Sequence, residues 1–275
     1  VCDNLFPFDR MGIGDKMKIR LLGKRVVITG ATGGIGERLA YHVTKQGAIP
    51  ILIGRNKEKL EQIRQSLLPI AEEEPRCYVG DLTDRAFITT IIEANPHVDV
   101  LINNAGIGLF EKLEDTPDDE LEQMLRLNIH ALVYLTKGFL PTLRENQGHI
   151  IQIASMAGKI PTPKSSIYAA TKAFVIQFSN ALRMECQDHD VAVTTVNLGP
   201  VRTGFFDYAD RTGKYRQSVD KYMLDPDKVA SKVVKAMYTN KREINLPFWM
   251  QLGSDWYTFT PRIMERFLQP LFRKK

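Results

Sequence analysis

From Lys24 onward, short apolar runs alternate with longer amphipathic stretches. Val26-Val27-Ile28-Thr29 ends in a cluster of glycines, and Ile35–Gln46 then has helical spacing. Ile49–Ile53 is apolar again, and the charged stretch Lys57–Leu68 keeps Leu60, Ile63 and Leu67 on one face. Cys77-Tyr78-Val79 predicts a short strand, Arg85–Glu93 a helix and Val98–Ile102 a further strand. A long helix is predicted over Asp118–Leu143, with Thr116 as cap and Pro117 in the first turn. His149–Ile153 and Val191–Val196 read as strands around a helix over Ser166–Gln187. Pro226–Thr239 reads as a helix and Glu243–Leu246 as a last strand. Uninterrupted apolar runs fit strands buried on both faces, and helices between them imply parallel crossovers. The pattern predicts an α/β chain with one doubly wound parallel sheet. No linker, repeat or low-complexity segment divides it, so a single domain with a C-terminal extension is expected.

Composition narrows the class. Of 275 residues, 44% are hydrophobic and 25% charged, which excludes a disordered, collagen-like or coiled-coil chain. The net charge of +5 resides at the ends: residues 1–25 carry +3 and 261–275 carry +4, leaving 26–260 at −2. A nucleic-acid-binding body should carry a basic face within its fold, so no nucleic-acid partner is expected. Cys2, Cys77 and Cys186 are odd in number and widely spaced, unlike a disulfide framework or a metal site. A reducing compartment and a cytoplasmic location are expected, with no metal. No apolar run approaches the ~20 residues of a transmembrane helix. Met11 and Met17 are candidate starts, so residues 1–20 are read as an extension, its first residues vector-derived.

Gly30-Ala31-Thr32-Gly33-Gly34-Ile35-Gly36 lies between the first predicted strand and helix. Glycines there allow a tight turn and let backbone N–H groups and a helix N-terminus approach a pyrophosphate. The order G-x-x-x-G-x-G still points to a dinucleotide, as in a Rossmann-type fold. The second strand ends in Ile53-Gly54-Arg55-Asn56-Lys57, without the acid that would accept from a ribose 2′-OH. Arg55, with Asn56 beside it, offers a planar fork for a 2′-phosphate, which predicts NADP(H) over NAD(H).

Tyr168 and Lys172 are four residues apart on one helix face, and Ser155 closes the preceding strand. In a doubly wound sheet these meet in the crevice at the carboxyl ends of the strands. The set suits hydride transfer at a carbonyl or carbinol carbon. Tyr168 would pass the proton, Lys172 and an oxidised nicotinamide would favour its phenolate, and Ser155 would hold the substrate oxygen.

With these motifs in order, residues 22–250 resemble the short-chain dehydrogenase/reductase family. Thr29 to Gly36 matches its glycine motif, and Asp81-Leu82 its adenine-side acid and neighbour. Asn103-Asn104-Ala105-Gly106 matches its Asn-Asn-Ala-Gly motif, and Asn128 its tetrad asparagine beside Ser155, Tyr168 and Lys172. Asn197-Leu198-Gly199-Pro200-Val201-Arg202-Thr203 is similar to its nicotinamide-side loop, with Thr203 near the carboxamide. The resemblance implies an NADP(H)-dependent oxidoreductase in which Asn128 positions a water linking Lys172 to solvent. It also implies homodimers or homotetramers through the helices at 118–143 and 166–187. Phe174, Val175, Phe178 and Leu182 run at helical spacing and are expected in the core.

Between Thr203 and Pro226 stand Phe205, Phe206, Tyr208, Tyr215 and Tyr222, expected as aromatic walls for a lipophilic ketone, aldehyde or alcohol. The interspersed Arg202, Arg211, Lys214, Arg216 and Lys221 are expected mostly to face water. Residues 251–275 form a basic, amphipathic segment. It is expected to pack over the substrate pocket or a neighbouring subunit, with membrane-surface contact as the alternative. Two other functions fit less of the sequence. A non-catalytic NADP(H)-binding regulator would not need Asn128, Ser155, Tyr168 and Lys172 together. A sugar-nucleotide epimerase would need a larger substrate region after Pro200.

Overall fold

A computed structural model describes residues 21–239 and 241–272, with side chains described as far as Arg266. The expected N-terminal extension over 1–20 therefore lies outside the described residues. Seven parallel strands form one sheet in the order β3-β2-β1-β4-β5-β6-β7. They are β1 (Arg25–Thr29), β2 (Ile49–Gly54), β3 (Arg76–Val79), β4 (Val100–Asn103), β5 (His149–Ser155), β6 (Ala192–Leu198) and β7 (Glu243–Leu246). The sequence runs outward from β1 in both directions, so the topological switch lies between β1 and β4. This is the predicted Rossmann-type doubly wound sheet.

The apolar runs of the strands divide between two cores because successive side chains point to opposite faces. Val26, Ile28, Leu52, Ile102 and Ile151 pack under α1 (Gly34–Lys45), α2 (Lys57–Leu67) and α9 (Pro226–Lys235). Val27, Ile51, Ile53, Leu101 and Ile150 pack against the other face. There they meet α3 (Arg85–Ala94), α5 (Leu132–Glu145) and α6 (Ser166–Glu185). Phe139 on α5 is fully buried in that second layer, and burying such a ring stabilises the fold by ~2 to 3 kcal/mol.

The structure changes several boundaries. The helix expected over 118–143 starts as α4 (Asp118–Leu125), widens into a π-helical turn over Arg126–Ala131, and continues as α5. A π turn inserts an extra residue into the helix, and Asn128 sits in it, buried. Pro117 occupies the cap position itself, extended at ψ 139°. Thr116 instead donates its hydroxyl back to the Lys112 carbonyl at 2.9 Å. The helix starting at Pro226 stops at Lys235 rather than Thr239. On α6, Val175 and Leu182 are in the core as expected. Phe174 is 37% exposed and stacks on half-buried Phe178, with ring centroids 5.8 Å apart. The helix turns Phe174 one position past the buried stripe, toward the surface.

Two short helices, α7 (Phe205–Ala209) and α8 (Lys214–Val219), follow β6. After β7 come α10 (Phe248–Phe259) and α11 (Pro261–Phe272), with α10 running across position 251. Among the described residues no helix is long and apolar enough to cross a membrane. Cys77 and Cys186 are free thiols, and no cluster of metal-ligating side chains occurs among the described residues.

Candidate active site

A cleft opens along the carboxyl ends of the strands and divides into two adjoining lobes. The first, about 500 Å³, is lined by the Gly30–Ile35 turn, Gly54, Arg55, Asp81, Leu82 and the Asn104-Ala105-Gly106 segment. The second, about 300 Å³, contains Ser155, Tyr168 and Lys172. Ile35, Asn104, Gly106, Thr203 and Phe205 line both, forming the passage between them.

In the first lobe the backbone does most of the work. Gly33 at the N-cap of α1 offers no side-chain cap, so the first N–H groups of the helix remain as donors beside the lobe. A Cβ on Gly36 would collide with the Gly30 carbonyl oxygen and approach Ala31 Cα at 2.8 Å, so only glycine lets the helix start this close to the turn. The turn is pinned from β4. Thr29 Oγ1 accepts from the N–H groups of Asn104 and Ala105, both at 2.9 Å. Asn104 Nδ2 donates to the carbonyls of Thr29 at 2.9 Å and Gly30 at 3.2 Å. Thr29 was legible only as part of a motif; its role as the pin depends on β1 and β4 being neighbours.

Arg55 is exposed on the lobe wall near Tyr208, where a phosphate would be within reach of its fork. Asn56 does not line the lobe. It caps α2, its Oδ1 accepting from the Lys59 N–H at 2.8 Å. Asp81 turns its carboxylate onto the Thr83 N–H at 2.8 Å and thereby shapes the β3 turn at the lobe edge. These residues fit a dinucleotide: a glycine turn under uncapped helix donors, a cation at the β2 end and an acid after β3.

In the second lobe side chains take over. Ser155 ends β5, its hydroxyl donating to the Leu198 carbonyl at 3.2 Å and accepting from the Ala157 N–H at 3.1 Å. Tyr168 and Lys172 stand on the first turns of α6, both buried. Lys172 Nζ donates to the Ile153 carbonyl at 3.0 Å and lies 5.9 Å from the Tyr168 ring centroid. Asn128 holds the Ile107 backbone from both sides, accepting its N–H at 2.9 Å and donating to its carbonyl at 2.8 Å. Its Nδ2 also donates to Thr171 Oγ1 at 3.0 Å, which ties the π turn to α6. Gly106 fits between Asn128 and Lys172, where a Cβ would stand 3.2 Å from Oδ1 and 3.3 Å from Nζ.

Burial governs the ionisation of this set. It pushes the Tyr168 phenol up to about 12, with the Ser155 hydroxyl opposing the shift and Tyr215 adding to it. It brings the Lys172 ammonium down to about 8. In the free chain burial thus raises the Tyr168 phenol, opposite to the expected pull toward a phenolate. At neutral pH Tyr168 holds its proton and Lys172 is mostly charged.

The lobe walls are aromatic and apolar. Phe110 meets Tyr168, Phe205 and Tyr215 with ring centroids 5.9, 6.4 and 4.9 Å away. Gly108 leaves room for this packing, since a Cβ there would stand 2.7 Å from Phe205 and 2.8 Å from Tyr168. Phe205, Phe206 and Tyr215 line this lobe as expected, and Pro200, Val201 and Thr203 carry its wall past β6. Tyr208 instead borders the first lobe, while Tyr222 is 59% exposed against Trp249. Neither aromatic lines the substrate lobe. Arg202, Arg211 and Arg216 pair at the surface with Asp220, Glu120 and Asp207, so none is a wall of the substrate lobe. Phe110 and Ile160 are walls that sequence reasoning missed, while Met250 belongs to the C-terminal apolar segment expected to pack over the pocket. Phe110 follows the Asn-Asn-Ala-Gly motif by four residues, a spacing that offered a signal.

Residues 24–213 match the family model described as short chain dehydrogenase. The chain belongs to the short-chain dehydrogenase family. It is thus an oxidoreductase of a family that binds nicotinamide cofactors. It is 32% identical to dehydrogenase/reductase SDR family member 7B of Bos taurus, over 100% of this chain and 89% of the relative. An uncharacterized oxidoreductase of Staphylococcus aureus is 34% identical over 82% of this chain and 95% of its own length. Among solved structures, a serine dehydrogenase complexed with NADP+ is 32% identical at a TM-score of 0.71, covering 80% of this chain and 94% of its own. An alcohol dehydrogenase from the archaeon Thermococcus sibiricus, complexed with 5-hydroxy-NADP, is 26% identical at a TM-score of 0.70. That likeness covers 81% of this chain and 95% of the other.

Proposed function

We propose that this dehydrogenase is an NADP(H)-dependent carbonyl reductase or alcohol dehydrogenase for an apolar ketone, aldehyde or alcohol. The observation that carries the reading is one cleft with two characters: a glycine-built lobe with Arg55 joins an aromatic lobe containing Ser155, Tyr168 and Lys172. The NADP+ and 5-hydroxy-NADP of the two structural relatives support the choice of cofactor. NADPH would supply the hydride, its pyrophosphate over the α1 N-terminus and its 2′-phosphate at Arg55. The chain's own residues supply the rest. Ser155 orients the substrate oxygen, and the Tyr168 phenol donates the proton that this oxygen gains on reduction. Lys172 holds positive charge behind the phenol, and Asn128 keeps the loop after β4 against α6. The Tyr168 phenolate left by that donation takes a proton from Lys172, and we assign to Asn128 the positioning of a water through which solvent returns that proton to Lys172.

A protonated Tyr168 suits reduction better than oxidation at neutral pH, and the apolar walls suit a lipophilic substrate. The surface pairing of the three arginines argues against a substrate held by its carboxylate. Free thiols fit a reducing, cytoplasmic setting. The exposed Phe174 on α6, stacked on Phe178, fits a homodimer or homotetramer through this helix. Purified protein with NADPH, screened against a panel of carbonyl compounds, tests the reading. Turnover of aromatic or long-chain ketones and aldehydes is expected. Turnover confined to small hydrophilic sugars would refute the substrate class. NADPH binding without turnover of any carbonyl would favour a regulatory NADP(H)-binding protein.

A further inference from the structure

α10 has two unlike faces. Its inner face is anchored: Met250 lines the substrate lobe, Ser254 is buried, and Gln251 Oε1 accepts from Lys159 Nζ at 3.0 Å. Its outer face exposes Phe248 (70%), Trp249 (56%), Leu252 (51%), Trp256 (70%) and Phe259 (85%), and Ile263 on α11 is also exposed (57%). Trp249, Leu252, Trp256 and Phe259 recur at intervals of three and four within α10, so they form one stripe on one side. Scattered single apolar side chains are ordinary on a protein surface; a contiguous aromatic stripe marks a contact.

Charge identifies the partner. Residues 248–275 contain five basic residues, Arg262, Arg266, Arg273, Lys274 and Lys275, against Asp255 and Glu265. Both acids are engaged within the segment: Asp255 accepts from the Gln251 amide at 2.6 Å and Glu265 from the Tyr257 hydroxyl at 2.8 Å. Exposed tryptophans and phenylalanines beside the exposed Arg262 and Arg266 are the composition that settles at an anionic lipid interface. A second copy of this chain fits worse, because a two-fold contact through the stripe would bring the same arginines together. Each helix has 12 residues and is therefore ~18 Å long, against the ~30 Å of a hydrocarbon core, so the pair can lie on a bilayer but not span it.

We propose that the outer face of α10, continued by α11, docks the protein on an anionic lipid surface. The helix that touches lipid on one side is then a wall of the substrate lobe on the other, which would bring a membrane-dissolved substrate beside its pocket. That second consequence rests on the proposed substrate class; the docking itself does not.

Trp249 and Trp256 are the chain's two tryptophans, so intrinsic tryptophan fluorescence reports on the patch alone. The full chain should be titrated with vesicles of phosphatidylcholine containing phosphatidylglycerol, and with phosphatidylcholine alone. Expected are a blue shift, protection from acrylamide and co-sedimentation with the anionic vesicles, each weakened by high salt. Trp256→Glu with Phe259→Glu should lower vesicle partitioning by at least about tenfold, and Arg262→Glu with Arg266→Glu should abolish the preference for anionic lipid. Both pairs are exposed, and an unchanged melting temperature would show that the fold survives. No shift and no sedimentation with either vesicle would overturn the proposal, whatever the carbonyl screen gives. So would a lipid-independent blue shift that grows with protein concentration and accompanies dimers in sedimentation equilibrium, since the patch would then join two copies.

Discussion

The two lobes of the cleft are built from different materials. The lobe beside β1, β2 and β3 is mostly backbone: a glycine turn, uncapped helix donors, and a threonine and asparagine that fasten them. The lobe beside β5 and β6 is mostly side chain: a buried phenol and amine within a ring of aromatics. Backbone groups can recognise what every cofactor of this kind shares, namely phosphates. Side chains recognise what differs between substrates, and here they come from widely separated parts of the chain, from Phe110 to Met250. One lobe should therefore control cofactor use for any substrate, and the other substrate choice for one cofactor.

The largest effect separates chemistry from binding. Tyr168→Phe should lower kcat by about 10²- to 10⁴-fold while NADPH binding, read by fluorescence titration, stays near that of the parent. In the parent, kcat/KM for reduction should fall as pH rises through about 8, because Lys172 loses its charge there while Tyr168, raised to about 12, is still protonated. A flat profile from pH 6 to ~10 would remove Lys172 from the proton path.

Gly36→Ala should be next. The added methyl meets the Gly30 carbonyl, and overpacking of this order costs about 1 to 3 kcal/mol. The Kd for NADPH should rise ~10- to 100-fold with every substrate alike. An effect confined to one substrate would break the division between lobes. Arg55→Asp should shift the NADPH-to-NADH preference by about 10-fold or more, since a charge-assisted bond to phosphate is worth about 1.5 to 3 kcal/mol. An unchanged ratio of the two Kd values would remove Arg55 from the cofactor site. Phe205→Ala should have the smallest effect. It should change KM a few-fold between bulky and small carbonyls. Because Phe205 stands in the passage between lobes, any change in NADPH affinity would measure how far the two are separable.

The same contrast explains what could be read in the sequence. The glycine turn, Ser155, Tyr168 and Lys172 were legible because each is tied to a strand end or a helical spacing, Asn104 was legible only through the family resemblance, and the alternating pattern predicted every strand. Asn56 looked like a cofactor contact, but asparagine before a helix is also a good cap, and here the local hydrogen bond to Lys59 won. Tyr208 and Tyr222 were counted as pocket walls because composition reveals aromatics without revealing which way short helices such as α7 turn them. The π turn at Asn128 left no trace, since its hydrophobic spacing differs from an α-helix by one residue. The pull toward a phenolate at Tyr168 was expected from charge alone; how deeply the pair is buried depends on chain segments as distant as Met250. The direction of those shifts follows from packing that periodicity does not encode.

Four residues after Ser155, the Lys159 ammonium reaches Glu243 at 2.6 Å and Asn245 at 3.2 Å on β7, and Gln251 at 3.0 Å on α10. One side chain thus fastens the loop leaving the catalytic strand to the last strand and to the helix carrying Met250. Anyone recombining relatives of this enzyme meets it as a rule of grafting. A transplanted C-terminal segment brings its receptor for position 159 with it. Losing Lys159 would cut three contacts at once, so the seating of the helix that carries Met250 depends on a side chain outside the pocket it shapes.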